Sequence, residues 1–305
     1  MIFLSIKGRL GNQMFQYAFA RALKEKLNQE IVIDWHFVDE MDKVYPNIGF
    51  EDSLKQFNVT KYQSINSINY RKVMTPLQYY SFLMYERSFP FKGSLEEKQA
   101  YENTFLKTYK NRGLLYCENG YYDFKLSRLP KNIFLSGYYE SERYFKSIKD
   151  IIKNEFTPRN EKLKHNISLY KQIEKSESVC VTIRTGYKKN SLHSVCDIDY
   201  FLKGMDYFAH KISNAKFFVF SNDIKWIKEN VRFKYPVVFE EGNNPVWEKL
   251  RLMYSCKHFI ISNSTFSWWA QYLSDNKSKM VVVPDRWYNS SVKSDLLNND
   301  GFIIL

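Results

Sequence analysis

The chain has 305 residues, 44% of them hydrophobic and 17% aromatic, including 23 Tyr and 24 Phe. So much ring surface excludes a disordered chain, and the length allows two domains of ordinary size. Lys and Arg outnumber Asp and Glu 45 to 33, a formal charge of +12 that attracts nucleotides or an anionic membrane surface. No dense Lys/Arg block is present, which ranks nucleic acid below both.

In chain order, Ile2 to Ile6 reads as a buried strand. Gly8-Arg9-Leu10-Gly11-Asn12-Gln13 turns it into a helix running to about Leu27, with Phe15, Ala18, Phe19, Ala22 and Leu23 at helical spacing. Ile31-Val32-Ile33 follows as a second strand, completing a strand, glycine loop, helix, strand unit of the doubly wound type. From His36 to Pro130 the pattern is irregular, with helices expected around Pro76 to Tyr85 and Leu95 to Tyr109 and no chemistry assignable. The aromatic residues there suit either a sugar-stacking face or core packing. Asn132 to Ser136 reads as a strand and Ser141 to Phe156 as a helix ended by Pro158.

The polar, Lys-rich stretch from Arg159 to Glu177 marks the expected crossing between a first domain, 1–158, and a second, 159–305. Beyond it, strands are expected at Val179 to Ile183, Lys216 to Phe220, Pro236 to Phe239, His258 to Ile261 and Met280 to Val283. Helices alternate with them at Asp199 to His210, Ile224 to Val231, Val246 to Tyr254 and Thr265 to Leu273. The fold class is therefore α/β, with a ligand expected where strand ends meet helix starts.

Cys117, Cys180, Cys196 and Cys256 are too widely spaced for a zinc knuckle or a redox pair and read as buried thiols. The five histidines, His36, His165, His193, His210 and His258, form no ligand spacing. The apolar start is broken by Lys7 and Arg9, and no later run reaches the length of a membrane span. A cytoplasmic protein is expected.

Three junctions end a strand in the manner of an anion site. Gly8 to Gln13 combines close backbone approach with a helix N-terminus, yet lacks the full dinucleotide or P-loop pattern. Thr182-Ile183-Arg184-Thr185-Gly186-Tyr187 places a guanidinium at a buried strand end, where it either grips a diphosphate or pairs a structural carboxylate. Ser262-Asn263-Ser264-Thr265-Phe266-Ser267-Trp268-Trp269 opens a helix; its polar residues either cap that helix or face an anion.

Four segments, in order along nearly the whole chain, resemble the successive motifs of bacterial α-1,2-fucosyltransferases. They are Gly8 to Ala18, Gly137-Tyr138-Tyr139-Glu140-Ser141-Glu142-Arg143-Tyr144-Phe145, Phe220-Ser221-Asn222-Asp223 and Asn263 to Trp269. The resemblance implies a GT-B-like fold of two Rossmann-like domains facing across a cleft, the N-terminal one presenting the acceptor and the C-terminal one binding the nucleotide sugar. It implies inversion at the anomeric carbon, GDP-fucose as donor and no metal or other cofactor. By the same resemblance Asn12 and Gly11 lie near the donor phosphates, Arg184 holds the β-phosphate, and Ser221, Asp223, Asn263, Ser264, Thr265 and Phe266 line the donor site.

The family pattern His-x-Arg-Arg-Gly-Asp-Tyr is altered here: Thr182 replaces the His, Thr185 the second Arg, and Tyr187 the Asp. Relatives carry an acid at the position of Lys249, for which Glu248 is the candidate stand-in. These changes fall on the base-reading side, so Thr182 and Glu248 are the candidate base contacts. Asp34, Glu140 and His193 are the candidate general bases. Asp197-Ile198-Asp199 has the form of a metal-binding Asp-x-Asp, but at a helix start it reads as a cap. The expected acceptor is a glycan or lipid-linked oligosaccharide, with peripheral association at the inner membrane face and no nucleic-acid partner. A different nucleotide-sugar donor on the same fold, or a glycan-binding relative without turnover, are the alternatives.

Overall fold

A computed structural model describes residues 1–305 apart from Tyr187 and Lys189, so the expectation attached to Tyr187 lies outside the described residues. The chain divides into two compact units, Met1–Glu155 with Ser290–Asp295, and Phe156–Asn289 with Leu296–Leu305.

In the first unit the strands are β1 (Ile2–Ser5), β2 (Ile31–Asp34), β3 (Gln63–Ile65), β4 (Leu114–Cys117) and β5 (Ile133–Gly137). They form one sheet in the order β3-β2-β1-β5-β4, every pair parallel. Continuous apolar runs such as Ile2-Phe3-Leu4 and Leu114-Leu115-Tyr116 are what a parallel sheet covered on both faces requires. The helices are α1 (Leu10–Leu27), α2 (His36–Val44), α3 (Tyr70–Val73), α4 (Pro76–Ser88), α5 (Leu95–Thr108) and α6 (Lys149–Glu155). Reciprocal capping boxes start two of them: Thr75 with Gln78 before α4, and Ser94 with Glu97 before α5.

Helix α1 is buried almost all round over its first three turns rather than on one face, and Ala22 is only half-buried. Its interior polar groups are therefore used: Tyr17 Oη and Arg21 Nε donate to Glu155, which also accepts from Thr60 Oγ1. The helix expected over Ser141 to Phe156 is instead two short 3₁₀ turns followed by α6. Ser141 accepts the Arg143 N–H and donates to Asp295, so its segment is held in a tight turn rather than a helical one. The returning segment Ser290–Asp295 is tied on by that contact and by Glu96, which accepts from Ser290 Oγ and from Ser291 N–H and Oγ.

The second unit contains β6 (Glu177–Ile183), β7 (Ala215–Ser221), β8 (Val237–Phe239), β9 (His258–Ile260), β10 (Val281–Val283) and β11 (Phe302–Ile304). Their order is β11-β10-β9-β6-β7-β8, again all parallel. Helices α7 (Ile167–Glu174), α8 (Ile198–Lys211), α9 (Ile224–Asn230), α10 (Val246–Tyr254) and α11 (Thr265–Leu273) complete it. Val179, Val181, Phe217, Val219 and Ile260 pack with Phe201, Met205 and Phe208 of α8 into its largest described core. Gly204 of α8 lies against Ile260, where a Cβ would sit 2.9 Å from the Ile260 side chain. Cys117, Cys180 and Cys256 are buried free thiols, and Cys196 is half-buried.

Candidate functional site

A doubly wound sheet offers its ligand site where strand order reverses, beyond the carboxyl ends of the strands. In the second unit the chain runs from β6 outward to β7 and β8, then returns to β9 on the other side of β6, so the reversal lies between β6 and β9. Arg184 follows β6 and Ser264 closes the turn after β9. The structure joins them: Arg184 Nη1 donates to Ser264 Oγ at 3.3 Å. Ser264 is the N-cap of α11 in position, but its side chain does not cap that helix. Its hydroxyl serves the guanidinium instead, leaving the positive end of α11 beside a cation.

The turn carrying Arg184 is clamped by Asn222. Its Oδ1 accepts the Thr185 N–H at 2.9 Å and its Nδ2 donates to the Thr185 carbonyl at 3.3 Å, reproducing a strand-like pairing with a side chain. Asn222 sits in the same motif between Ser221 and Asp223, the two residues there with an expected donor-site role. Ser221 Oγ accepts the Asp223 N–H, and Asp223 caps α9 by accepting the Trp226 N–H at 2.9 Å, so Asp223 shapes the loop. Thr265 and Phe266 open α11 and are half-buried.

Four of the expected site residues are engaged in structural contacts. Thr182 does not offer a free hydroxyl: Oγ1 donates to Ile260 O and accepts the Ser262 N–H, joining β6 to the end of β9. Asn263 is buried and its Nδ2 donates to the carbonyls of His193 and Trp287, so it staples two loops together. Glu248 is fully buried and is not placed to read a base. Its carboxylate accepts from Leu163 N–H and Asn166 Nδ2, each at 3.0 Å, and pairs with Arg251 at 3.3 Å. Arg251 in turn donates to the carbonyls of Pro158 and Asn160, so the pair fastens the chain entering this unit onto α10. Asp34 accepts the N–H groups of His36 and Ile68 at 2.9 and 3.1 Å, holding the loops beyond β2. Its geometry is that of a backbone anchor.

A second cation, Lys249, which stands where relatives carry an acid, lies at the same edge. Lys249 Nζ is 3.1 Å from Glu240 Oε2 and donates to Ser221 O at 3.4 Å, at the ends of β7 and β8. Glu240 is buried, and its other oxygen accepts from Gly242 N–H and Asn244 Nδ2. The acidic partner of Lys249 is thus Glu240, just beyond β8, whereas Glu248 pairs with Arg251. His193 packs edge-on to Tyr288, with ring centroids 5.7 Å apart. Burial, and then the charge of Arg184, hold its imidazole below the usual range, so it is neutral near pH 7.

In the first unit the order reverses between β1 and β5, and there the glycine loop lies beside the segment Gly137 to Glu140. Gly8 has φ +78, and a Cβ on it would meet Asn12 Nδ2 at 2.6 Å. The loop is fixed by two buried glutamines of α1. Gln13 Nε2 donates to Gly8 O, while Gln16 accepts the Lys7 N–H at 3.0 Å and donates to Lys7 O at 2.7 Å. Gly11 is buried in the first turn of α1 and Asn12 half-buried. Gly137 has φ +144, with its Cβ position 1.8 Å from Cys117 O, so only glycine ends β5 there. Glu140 is buried just beyond it. Asp197 accepts the Tyr200 N–H at 2.9 Å as the N-cap of α8, as its place before an apolar helix predicts. Among the described residues no helix is long and apolar enough to cross a membrane.

Two parallel doubly wound units, with a guanidinium and a helix N-terminus at the switch point of the second, define a GT-B-like glycosyltransferase. The fold of fucosyltransferase NodZ from Bradyrhizobium is similar, with a TM-score of 0.52 at 14% identity over 88% of this chain and 92% of that one. The chain belongs to glycosyltransferase family 11, whose family model matches residues 1–300. It is 28% identical to the O-antigen biosynthesis glycosyltransferase WbnK of Escherichia coli, over 95% of this chain and 96% of that protein. It is 29% identical to an α-1,2-colitosyltransferase of Escherichia coli, over 93% and 91% respectively.

Proposed function

We propose that the chain is an inverting, metal-independent α-1,2-glycosyltransferase that moves fucose from GDP-fucose onto a hydroxyl of a glycan or lipid-linked oligosaccharide. The observation that carries this reading is the Arg184–Ser264 contact at the switch point of the second sheet. There a planar cation and the dipole of α11 meet the charge that develops on the departing diphosphate, the work a metal does in other transferases. The second unit binds the donor through Arg184 and the start of α11, and the first, which carries the glycine loop with Gly11 and Asn12, presents the acceptor. Membership of family 11 and the named α-1,2 relative support the reaction class.

The acceptor oxygen attacks C1 from the face opposite the diphosphate, inverting the centre. Arg184 stabilises the leaving group, and Asn222 keeps the guanidinium on station through the Thr185 backbone. The net charge of +12 favours the anionic donor and peripheral binding at the cytoplasmic membrane face, without nucleic-acid recognition. A panel of nucleotide sugars, assayed for transfer and for donor hydrolysis, tests the reading: GDP-fucose is consumed with release of GDP, and a panel without turnover contradicts it.

One observation favours a second reading, the same reaction with another nucleotide sugar. Thr182 is spent between strands and Lys249 replaces an acid, so the base is read by groups other than those of the family pattern. The same panel separates the two.

A further inference from the structure

Helix α4 has its polarity reversed. It buries Gln78, Ser81 and Tyr85, while Leu77 and Tyr80 are 51% and 57% exposed and Leu83 and Met84 half-buried. A helix covering a sheet ordinarily does the opposite, because its apolar side is what holds it there. The polar groups inside are all used. Gln78 Nε2 donates to the carbonyls of Arg112 and Asn132, just before β4 and β5, and Ser81 Oγ donates to Leu77 O at 2.9 Å. Tyr85 Oη donates to Glu102, which also accepts the Glu118 N–H just beyond β4, and Glu118 pairs with Lys7 beyond β1. The helix therefore runs along the sheet from its amino edge to its carboxyl edge.

On the outer face Tyr80, Leu83 and Arg87 follow one another at helical spacing, with Leu77 and Met84 beside them. Phe91, in the turn after α4, is 58% exposed, and its ring rests on that of Phe89 with centroids 4.9 Å apart. Arg71 and Lys72 precede the helix and Lys92 follows it, so residues 70–92 carry four exposed cations against the single acid Glu86. A second exposed apolar stretch of this unit differs in sign: Phe37, Val44, Tyr45 and Ile48, on and after α2, are interspersed with Asp39, Glu40 and Asp42. Charge thus selects α4 as the face that complements an anionic bilayer, where rings and aliphatic chains enter the headgroup boundary and Lys and Arg meet the phosphates.

We propose that the outer face of α4 is the surface by which the chain docks on an anionic membrane. The proposal rests on the peripheral association put forward above and gives it a place. Leu77, Tyr80 and Phe91 enter the headgroup boundary, the Tyr80 ring with its body in the apolar layer and its hydroxyl in the wet one. Arg71, Lys72, Arg87 and Lys92 hold the phosphates around them. Because α4 reaches the carboxyl edge of its sheet, docking brings that edge to a lipid-linked acceptor that stays in the bilayer.

The test is co-sedimentation with vesicles of phosphatidylcholine alone and of phosphatidylcholine mixed with phosphatidylglycerol. Wild type is expected to prefer the anionic vesicles at least about tenfold and to be released by added salt. Leu77→Ser with Tyr80→Ser should weaken that binding about tenfold, and neutralising Arg71, Lys72, Arg87 and Lys92 together to Gln should weaken it by more, with melting temperatures unchanged. The control neutralises Lys164, Lys171, Lys175 and Lys203, all exposed in the second unit, which removes the same charge and should leave binding near wild type. Binding undiminished in either α4 variant, or lost as fully in the control, overturns the assignment. So does a wild type that self-associates through this face, becoming monomeric on Leu77→Ser with Tyr80→Ser while vesicle binding persists. Failure of the reading beneath it looks different: wild type then stays off both kinds of vesicle, and the surface falls with the association.

Discussion

Replacing Arg184 with Ala separates catalysis from folding. The guanidinium is half-buried, and its bond to Ser264 Oγ is long, 3.3 Å, and made to a neutral acceptor. Losing that bond costs the fold on the order of 1 kcal/mol, or roughly 2 to 4 °C in melting temperature for a domain of this size. At the transition state the same side chain faces a developing phosphate charge in a site sheltered by α11. Removing one such donor costs about 3 to 4 kcal/mol, or roughly 10² to 10³ in rate. Arg184→Ala should therefore melt near wild type while its turnover nearly disappears, and Arg184→Lys, which keeps charge but not the planar fork, should fall between. Turnover is followed by GDP release and folding by circular dichroism. An Ala variant retaining more than about a third of wild-type turnover would refute the reasoning.

Three further outcomes follow from the described contacts. Glu248→Gln should lower the unfolding free energy by roughly 1.5 to 3 kcal/mol, because it weakens charged hydrogen bonds fastening residues 158–166 to α10, while GDP affinity measured by titration stays unchanged. Activity should survive excess EDTA, and Asp197→Ala should lose about 1 kcal/mol of stability from the α8 cap without acquiring a metal requirement; dependence on added Mn²⁺ or Mg²⁺ would contradict this. Glu102, raised from 4.5 to about 7 in the fold, stabilises it fully below pH 4.5 and loses that contribution as pH rises through 7. Denaturant titrations should accordingly show Glu102→Gln gaining on wild type by up to roughly 3 kcal/mol between pH 5 and 8, and a difference flat in pH would refute it.

Much of the fold was legible because a parallel sheet buries both faces of each strand, which writes runs such as Ile31-Val32-Ile33 and Val179 to Ile183 as unbroken apolar stretches. Strand β3 was illegible for the opposite reason. Gln63-Ser64-Ile65 is a short, polar edge strand whose existence depends on its neighbour β2. Strand β4, though apolar, lies inside an irregular segment that offered no period to frame it. At the site, Arg184 and Ser264 could be named from motifs, yet their contact spans 80 residues and no spacing rule connects them. Glu240 and Lys249 meet because the loop after β8 returns to α10, which no local spacing announces. Glu102 and Glu118 lie in the stretch where the sequence suggested no chemistry. Their relation to Lys7 exists only because β5 inserts between β1 and β4. Gln13 and Gln16 were hidden in an apolar helix, where a buried amide is recognisable only once the loop it holds is in place.

The central claim, a GDP-sugar site organised on Arg184 at the carboxyl edge of the second sheet, is tested most directly by calorimetric titration of wild type and Arg184→Ala with GDP and with UDP. The account predicts that wild type binds GDP at least about tenfold more tightly than UDP and that the Ala variant loses most of the GDP affinity. Tighter binding of UDP than GDP would contradict the fucose donor, and GDP affinity unchanged in Arg184→Ala would contradict the site itself.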